Sequence, residues 1–123
     1  MTHILLAEDD SSMRDFLTLA LQKAGFKVTA CPDGESAYNA LKDKGDDTPF
    51  DLLLADIVMP GMDGIELSRK ASEIYPSIKI MYITGFAAVA AQNNGNMKPH
   101  ARVLSKPFHL SELVKQVQET LSA

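Results

Sequence analysis

Residues 52–64 read LLLADIVMPGMDG, a short apolar run that ends at an acidic residue and is followed by a turn-forming segment. A continuous apolar run of this length is typical of a central parallel strand that is buried on both faces. Proline and glycine in the next segment indicate a turn. Leu67, Ala71 and Ile74 then recur at helical spacing. The stretch therefore predicts a strand, a turn and a helix, with Asp56 at the carboxyl end of the strand.

The same alternation of apolar runs and amphipathic stretches extends in both directions along the chain. Strands are predicted at residues 3–7, 26–31, 52–55, 79–83 and 102–104, and helices at 13–24, 37–44, 67–74 and 110–121. A short helix is also expected at 87–91 and a polar loop at 45–49. Short connections between strand and helix force parallel strands with right-handed crossovers. The predicted fold class is therefore α/β, a (βα)5 doubly wound five-stranded parallel sheet.

Composition narrows the class of protein. The 123 residues are 46% hydrophobic and 23% charged, which excludes wholesale disorder, and the net charge of −4 argues against a nucleic-acid partner. No apolar run approaches the roughly 18 residues of a membrane span, so no membrane partner is expected. The single cysteine, Cys31, permits no internal disulfide and favours a cytoplasmic location. The length predicts one domain over residues 1–123, with no output domain.

Ligands of an open parallel sheet bind beyond the carboxyl ends of its strands. The predicted strand ends carry acidic, hydroxyl and lysine side chains, namely Glu8, Asp9, Asp10, Asp56, Thr84 and Lys106. Carboxylates brought this close repel one another, and a hard divalent cation such as Mg²⁺ relieves the repulsion. We therefore predict a site for Mg²⁺ and a phosphoryl group, with metal ligands from Glu8, Asp9, Asp56 and the backbone carbonyl of Val58.

The chemistry follows from the residue types. A carboxylate such as that of Asp56 can attack a phosphoryl donor and form an acyl phosphate. Phosphoryl transfer needs chiefly positioning and neutralisation of the charge on the equatorial oxygens. Mg²⁺, the Lys106 ammonium and the Thr84 hydroxyl would each take one of these oxygens.

Over essentially its whole length the chain resembles the receiver domain of two-component response regulators. The matching residues are the pair Glu8-Asp9, Asp56 in the segment DIVMPGMDG, Thr84, and Lys106 followed by Pro107. The resemblance implies a flavodoxin/CheY-like fold, with Asp56 as the phosphoacceptor and Thr84 and Lys106 as its catalytic partners. It further implies that Asp9 contacts the metal directly, Glu8 through water, and that the Lys106-Pro107 bond is cis. A histidine kinase or histidine phosphotransfer protein would supply the phosphoryl group.

Four segments are similar to the CpdR-type single-domain regulators, which in their unphosphorylated form help a ClpXP protease to select substrates. These are residues 7–10, 51–61, 83–88 and 101–110. The similarity implies a ClpX-type protease component as a partner and control of proteolysis through protein–protein contacts. We expect a monomer or weak dimer, with no enzymatic activity beyond phosphorylation and dephosphorylation of its own Asp56.

Two other functions stay open. The chain can be a phosphorelay intermediate that passes its phosphoryl group on. It can also be a small aspartyl-phosphate phosphatase, although such an enzyme would usually carry a second aspartate two residues after the nucleophile, where this chain has Val58.

Val58 and Phe86 both lie where they would flank an attacking water, and apolar side chains cannot orient a water molecule. Slow loss of the phosphoryl group is therefore predicted.

Other polar residues are given ordinary structural roles. Asp10 is expected to cap a helix or lie outside the metal site, and Asp63 to begin a helix or turn. His3, His100 and His109 share no spacing typical of a metal site, so surface or capping roles are expected.

Overall fold

The computed structural model describes residues 2–43, 49–85 and 102–122. The strands are β1 (His3–Ala7), β2 (Lys27–Cys31), β3 (Leu52–Asp56), β4 (Lys79–Thr84) and β5 (Arg102–Ser105). The helices are α1 (Ser11–Lys23), α2 (Gly34–Lys42), α3 (Gly64–Ile74) and α4 (Leu110–Ser122). The helix predicted at 87–91, most of the loop at 45–49 and the predicted helix end at Lys44 lie outside the described residues.

The five strands form one parallel sheet in the order β2-β1-β3-β4-β5. The predicted doubly wound five-stranded sheet is thereby confirmed. The pairing aligns Ala7 with Ala55, and Thr84 with Ser105. Because all strands run in the same direction and end at similar levels, the residues that follow them meet along one edge of the sheet.

Both faces of the sheet are covered by helices. Helices α1 and α4 pack on one face through residues that include Leu17, Leu21, Leu113 and Val117. Helices α2 and α3 pack on the other face through residues that include Ala37, Leu41, Leu67 and Ala71. Every residue of β1 and β3 is buried as a result. Burial of each leucine contributes about 2 kcal/mol, so these central strands form a rigid base for the residues after them. No helix in the described ranges is long and apolar enough to cross a membrane.

Three aspartates begin helices at the carboxyl edge of the sheet. Each accepts a hydrogen bond from the backbone N–H three residues on, at 3.0 Å for Asp10, 2.7 Å for Asp33 and 2.8 Å for Asp63. The bonds from Ser36 lower the pKa of Asp33. The predictions of a cap at Asp10 and of a helix start at Asp63 are confirmed, and the three caps fix the helix starts beside the site.

The histidines differ from one another. The surface or capping role predicted for His3 is wrong: the side chain is buried, its Nε2 lies 2.7 Å from Thr29 Oγ1, and its ring centroid lies 4.3 Å from that of Phe50. It is buried because it begins β1, a strand that is covered on both faces. His109 is exposed and its carbonyl accepts hydrogen bonds from the first turn of α4, while His100 lies outside the described residues.

Candidate functional site

The side chains predicted to form the site lie at the carboxyl edge of the sheet. Glu8 and Asp9 follow β1, Asp56 ends β3, Thr84 ends β4 and Lys106 follows β5. Glu8 and Lys106 are 98 positions apart in the chain, yet their side chains touch. The parallel topology, rather than any local motif, assembles the site.

Three carboxylates form the acidic part of the site. Single oxygen atoms of Glu8, Asp9 and Asp56 all lie within 4.8 Å of one another. Glu8 is 0% exposed and Asp56 is 5% exposed, whereas Asp9 faces solvent. Carboxylates at this separation repel, and burial of two of them strengthens the repulsion. The cluster therefore attracts cations and protons.

Lys106 bridges the two buried carboxylates. Its Nζ donates a hydrogen bond to Glu8 Oε1 and another to Asp56 Oδ2, each at 3.0 Å. Its backbone N–H donates to the carbonyl oxygen of Thr84 at 2.7 Å. The Lys106-Pro107 peptide bond is cis, as the resemblance implies. One ammonium group thus offsets part of the negative charge.

The titration of the site reflects this crowding. Burial, and after it the hydrogen bond with Asp56, raise the pKa of Glu8 to about 7, because the hydrogen bonds with Lys106 and Asp10, which lower this pKa, only partly offset them. Burial alone would lower the pKa of Lys106, but the hydrogen bonds to Asp56 and Glu8 outweigh it and raise that pKa. A proton therefore occupies Glu8 in part of the molecules near neutral pH, and a bound cation would displace it.

Asp56 is held from three directions. Val58 N–H donates to Oδ1 at 3.0 Å, while Lys106 contacts Oδ2. Beneath it, Gly64 packs so closely that a Cβ there would lie 2.3 Å from the Asp56 carbonyl oxygen. Gly64 N–H also donates to the carbonyl of Ile57 at 3.1 Å. The first residue of α3 is therefore packed directly against the acidic residue.

Thr84 and Val58 complete the predicted set. Thr84 is fully buried and its neighbour Ile83 pairs with Asp56 across β3 and β4. Val58 contacts the Asp56 carboxylate through its backbone N–H, and its side chain is 49% exposed. Both residues lie at the same edge as the acidic cluster. The roles of the Thr84 hydroxyl and of the Val58 carbonyl stay predictions.

Hydrogen bonds surround Glu8. Its Oε2 accepts from Asp10 N–H at 3.2 Å and its Oε1 from Lys106. Its N–H donates to the carbonyl of the buried Cys31 at 3.1 Å, and its carbonyl accepts from Arg14 Nη1 at 3.0 Å. Sequence reasoning missed Arg14, because a contact to a backbone carbonyl leaves no side-chain pattern; an arginine in the helix after the acidic run was the only signal.

The donor set fits a hard divalent cation. Within the ranges that the structure describes, the cluster of candidate ligands contains carboxylates and no histidine or cysteine. Oxygen donors suit Mg²⁺, Ca²⁺ or Mn²⁺ rather than Zn²⁺, and Mg²⁺ is typically held by one or two carboxylates with water and phosphate oxygens. Asp9 gives the cluster one side chain that already faces solvent.

Comparison with known proteins gives one consistent result. The model of the response regulator receiver domain family matches residues 4–118. The response regulator receiver protein CpdR of Brucella abortus (strain 2308) is 56% identical over 123 residues, which is all of this chain and 99% of that protein.

Solved structures of response regulators are also similar to the chain. A response regulator receiver protein from Sinorhizobium medicae WSM419 has a TM-score of 0.88 and 34% identity, over 99% of this chain and 95% of that one. The response regulator TrrA from Thermotoga maritima, solved in complex with Mg²⁺-BeF, has a TM-score of 0.79 and 26% identity, over 98% of this chain and 99% of that one. The chain is similar to both along nearly its full length.

Proposed function

The chain belongs to the response regulator receiver family, and from this premise we propose that Asp56 is the residue that accepts the phosphoryl group. It is a CpdR-like response regulator, a phosphoacceptor rather than a catalytic enzyme. The observation that carries the assignment of Asp56 is its pair of contacts: Val58 N–H at one carboxylate oxygen and the Lys106 ammonium at the other.

These contacts suit an in-line attack. One Asp56 oxygen forms a bond to phosphorus, and the phosphorus–nitrogen bond of a phosphohistidine donor breaks, so that the histidine leaves and an acyl phosphate remains. Lys106 and Val58 hold the carboxylate in place before the attack. Lys106 then neutralises charge on the transferred group, and the Thr84 hydroxyl donates a hydrogen bond to one of its oxygens.

Receiver domains bind Mg²⁺, and we assign its ligands in this chain to Asp9, Asp56 and the carbonyl of Val58, with Glu8 acting through water. The close carboxylate oxygens and the absence of nitrogen or sulfur donors from the described cluster support this assignment. When bound, Mg²⁺ neutralises charge on the phosphoryl oxygens. The similar TrrA protein was solved with Mg²⁺-BeF, in keeping with such a site.

A receiver domain implies a histidine kinase as its partner, acting directly or through a histidine phosphotransfer protein. For the output we propose a ClpX-type protease component, by analogy with the CpdR-type regulators that this chain resembles. Phosphorylation would shift the surface between two states, of which only one is bound by the partner.

Phosphorelay is the second candidate function. A chain that accepts a phosphoryl group at Asp56 can also pass it to a phosphotransfer protein, and the same contacts would serve both directions. The phosphatase alternative is weaker, because Val58 occupies the position of a general acid and its side chain carries no proton to donate.

Phosphorylation by a small donor tests the proposal. Wild type and Asp56→Asn are incubated with Mg²⁺ and phosphoramidate, and intact mass is measured. We expect one added phosphoryl group in the wild type and none in the variant or in EDTA. An equal adduct on both proteins would refute the assignment of Asp56, and multiple turnover of the donor beyond hydrolysis at Asp56 would favour the phosphatase.

A further inference from the structure

Arg14 contacts the acidic loop, which we define as residues 8–10, at two points. Its Nη1 donates to the carbonyl oxygen of Glu8 at 3.0 Å. Its backbone N–H donates to the carbonyl oxygen of Asp10 at 2.8 Å. Arg14 therefore fixes the loop backbone on both sides of Asp9, although it lies in α1.

The orientation of Asp9 depends on such backbone contacts. The carbonyl oxygen of Glu8 belongs to the planar peptide group that joins Glu8 to Asp9, so holding this oxygen also holds the Asp9 Cα. The next peptide group is held by Asp10 N–H, which donates to Glu8 Oε2 at 3.2 Å. The Asp9 carboxylate itself is exposed, and no residue that the structure describes donates a hydrogen bond to it.

We propose that Arg14 is a positioning residue for the divalent cation, which acts through the Glu8–Asp9 peptide to hold the Asp9 carboxylate beside that of Asp56. The inference rests on the proposed function. A guanidinium suits this role because it stays charged and planar, and a charge-assisted hydrogen bond is stronger than a neutral one. Without it, the Asp9 carboxylate would have to be ordered when the cation binds, and affinity would fall.

Calorimetric titration with Mg²⁺ in the absence of any phosphoryl donor tests this inference. Arg14→Ala is compared with Arg69→Ala, which removes the same charge from an exposed position on α3. We expect the Kd for Mg²⁺ to rise about tenfold in Arg14→Ala and to stay unchanged in Arg69→Ala. The maximal phosphorylation rate at saturating Mg²⁺ should stay within about twofold of wild type in both variants, because Asp56 and Lys106 are untouched.

Arg14→Lys gives a second comparison if Arg14→Ala does not fold. It keeps the charge but loses the planar donor, so its Kd should rise about threefold. Equal Kd values for the Arg14 and Arg69 variants would overturn the inference. So would a lower maximal rate with an unchanged Kd, because Arg14 would then act on the phosphoryl group.

The inference and the proposed function can fail separately. Wild type that binds Mg²⁺ but takes up no phosphoryl group contradicts the proposed function alone, because the Kd values are measured without a donor. Wild type that binds no Mg²⁺ contradicts both.

Discussion

The Lys106 ammonium lies 3.0 Å from Asp56 Oδ2 and 3.0 Å from Glu8 Oε1, so one cation joins two carboxylates that are buried. Asp56 ends β3 and Lys106 follows β5, with β4 between these strands. The contact therefore depends on the alignment of three strands. A phosphoryl group on Asp56 would compete with Glu8 for the same ammonium, which gives the site a physical means of sensing phosphorylation.

Replacing Lys106 with methionine should destabilise the protein in a manner that depends on pH. At about pH 8 we expect the free energy of unfolding to fall by about 2 kcal/mol, because two buried carboxylates lose their cation. This loss of stability is smaller than that expected for a fully buried ion pair, since 23% of the lysine side chain is exposed. At about pH 5 the loss should be smaller, because Glu8, whose pKa is raised to about 7, is then protonated and no longer needs the lysine to neutralise it.

Thermal unfolding in EDTA at both pH values measures this difference. Lys115→Met, at an exposed position on α4, is the matched control and should change little. An equal loss of stability at both pH values would contradict the electrostatic origin of the effect.

Glu8 should make the stability of the metal-free protein fall as pH rises. Its pKa is about 7 in the folded protein and 4.5 in the unfolded chain. The folded state therefore holds more protons between these values, so the free energy of unfolding decreases across this interval and levels off above about pH 7. Mg²⁺ should stabilise the protein most at the upper end of this pH range, where it does not compete with a proton on Glu8.

Urea unfolding of the wild type and of Glu8→Gln, in EDTA and across this pH range, isolates the contribution of Glu8 ionisation to the free energy of unfolding. The amide cannot ionise, so the difference between the two proteins should follow the titration of Glu8. A difference that does not vary between about pH 5 and about pH 8 would refute the raised pKa.

Gly64→Ala should disturb the base of the site. The new Cβ would lie 2.3 Å from the Asp56 carbonyl oxygen, so α3 and the end of β3 must move apart. We expect a loss of about 1–3 kcal/mol in the free energy of unfolding and slower phosphorylation. Gly85→Ala is the control, since a Cβ there meets no described atom within 4 Å. Equal stability of Gly64→Ala and wild type would show that the close packing is not rigid.

Val58 should slow the loss of the phosphoryl group. Its side chain is 49% exposed beside Asp56 and cannot orient water. Phe86, the other apolar residue predicted to flank the attacking water, lies outside the described residues. Val58→Gln offers an amide to a water molecule, and we expect dephosphorylation about tenfold faster. Intact mass after removal of the donor follows the decay, with Val103→Gln, an exposed valine on β5, as control. A half-life of seconds in the wild type would contradict the prediction.

The sequence predicted the fold well because burial on both faces makes β1 and β3 continuously apolar. It also predicted which residues lie at the carboxyl edge, since parallel topology alone brings strand ends together. The contact of Arg14 with the Glu8 carbonyl and the close approach of Gly64 to the Asp56 carbonyl were not predictable. Both are contacts to backbone atoms at positions that only the packed helices define, and neither leaves a periodic signal.

Chemical trapping of the phosphorylated residue tests the central claim most directly. Borohydride reduces an acyl phosphate of aspartate to homoserine, with release of phosphate, and so marks the modified position for peptide mass mapping. After phosphorylation by phosphoramidate with Mg²⁺, we predict homoserine at position 56 and unchanged aspartate at Asp9, Asp10 and Asp63. Homoserine at one of these other positions, or at none, would contradict the assignment of Asp56 as the phosphoacceptor.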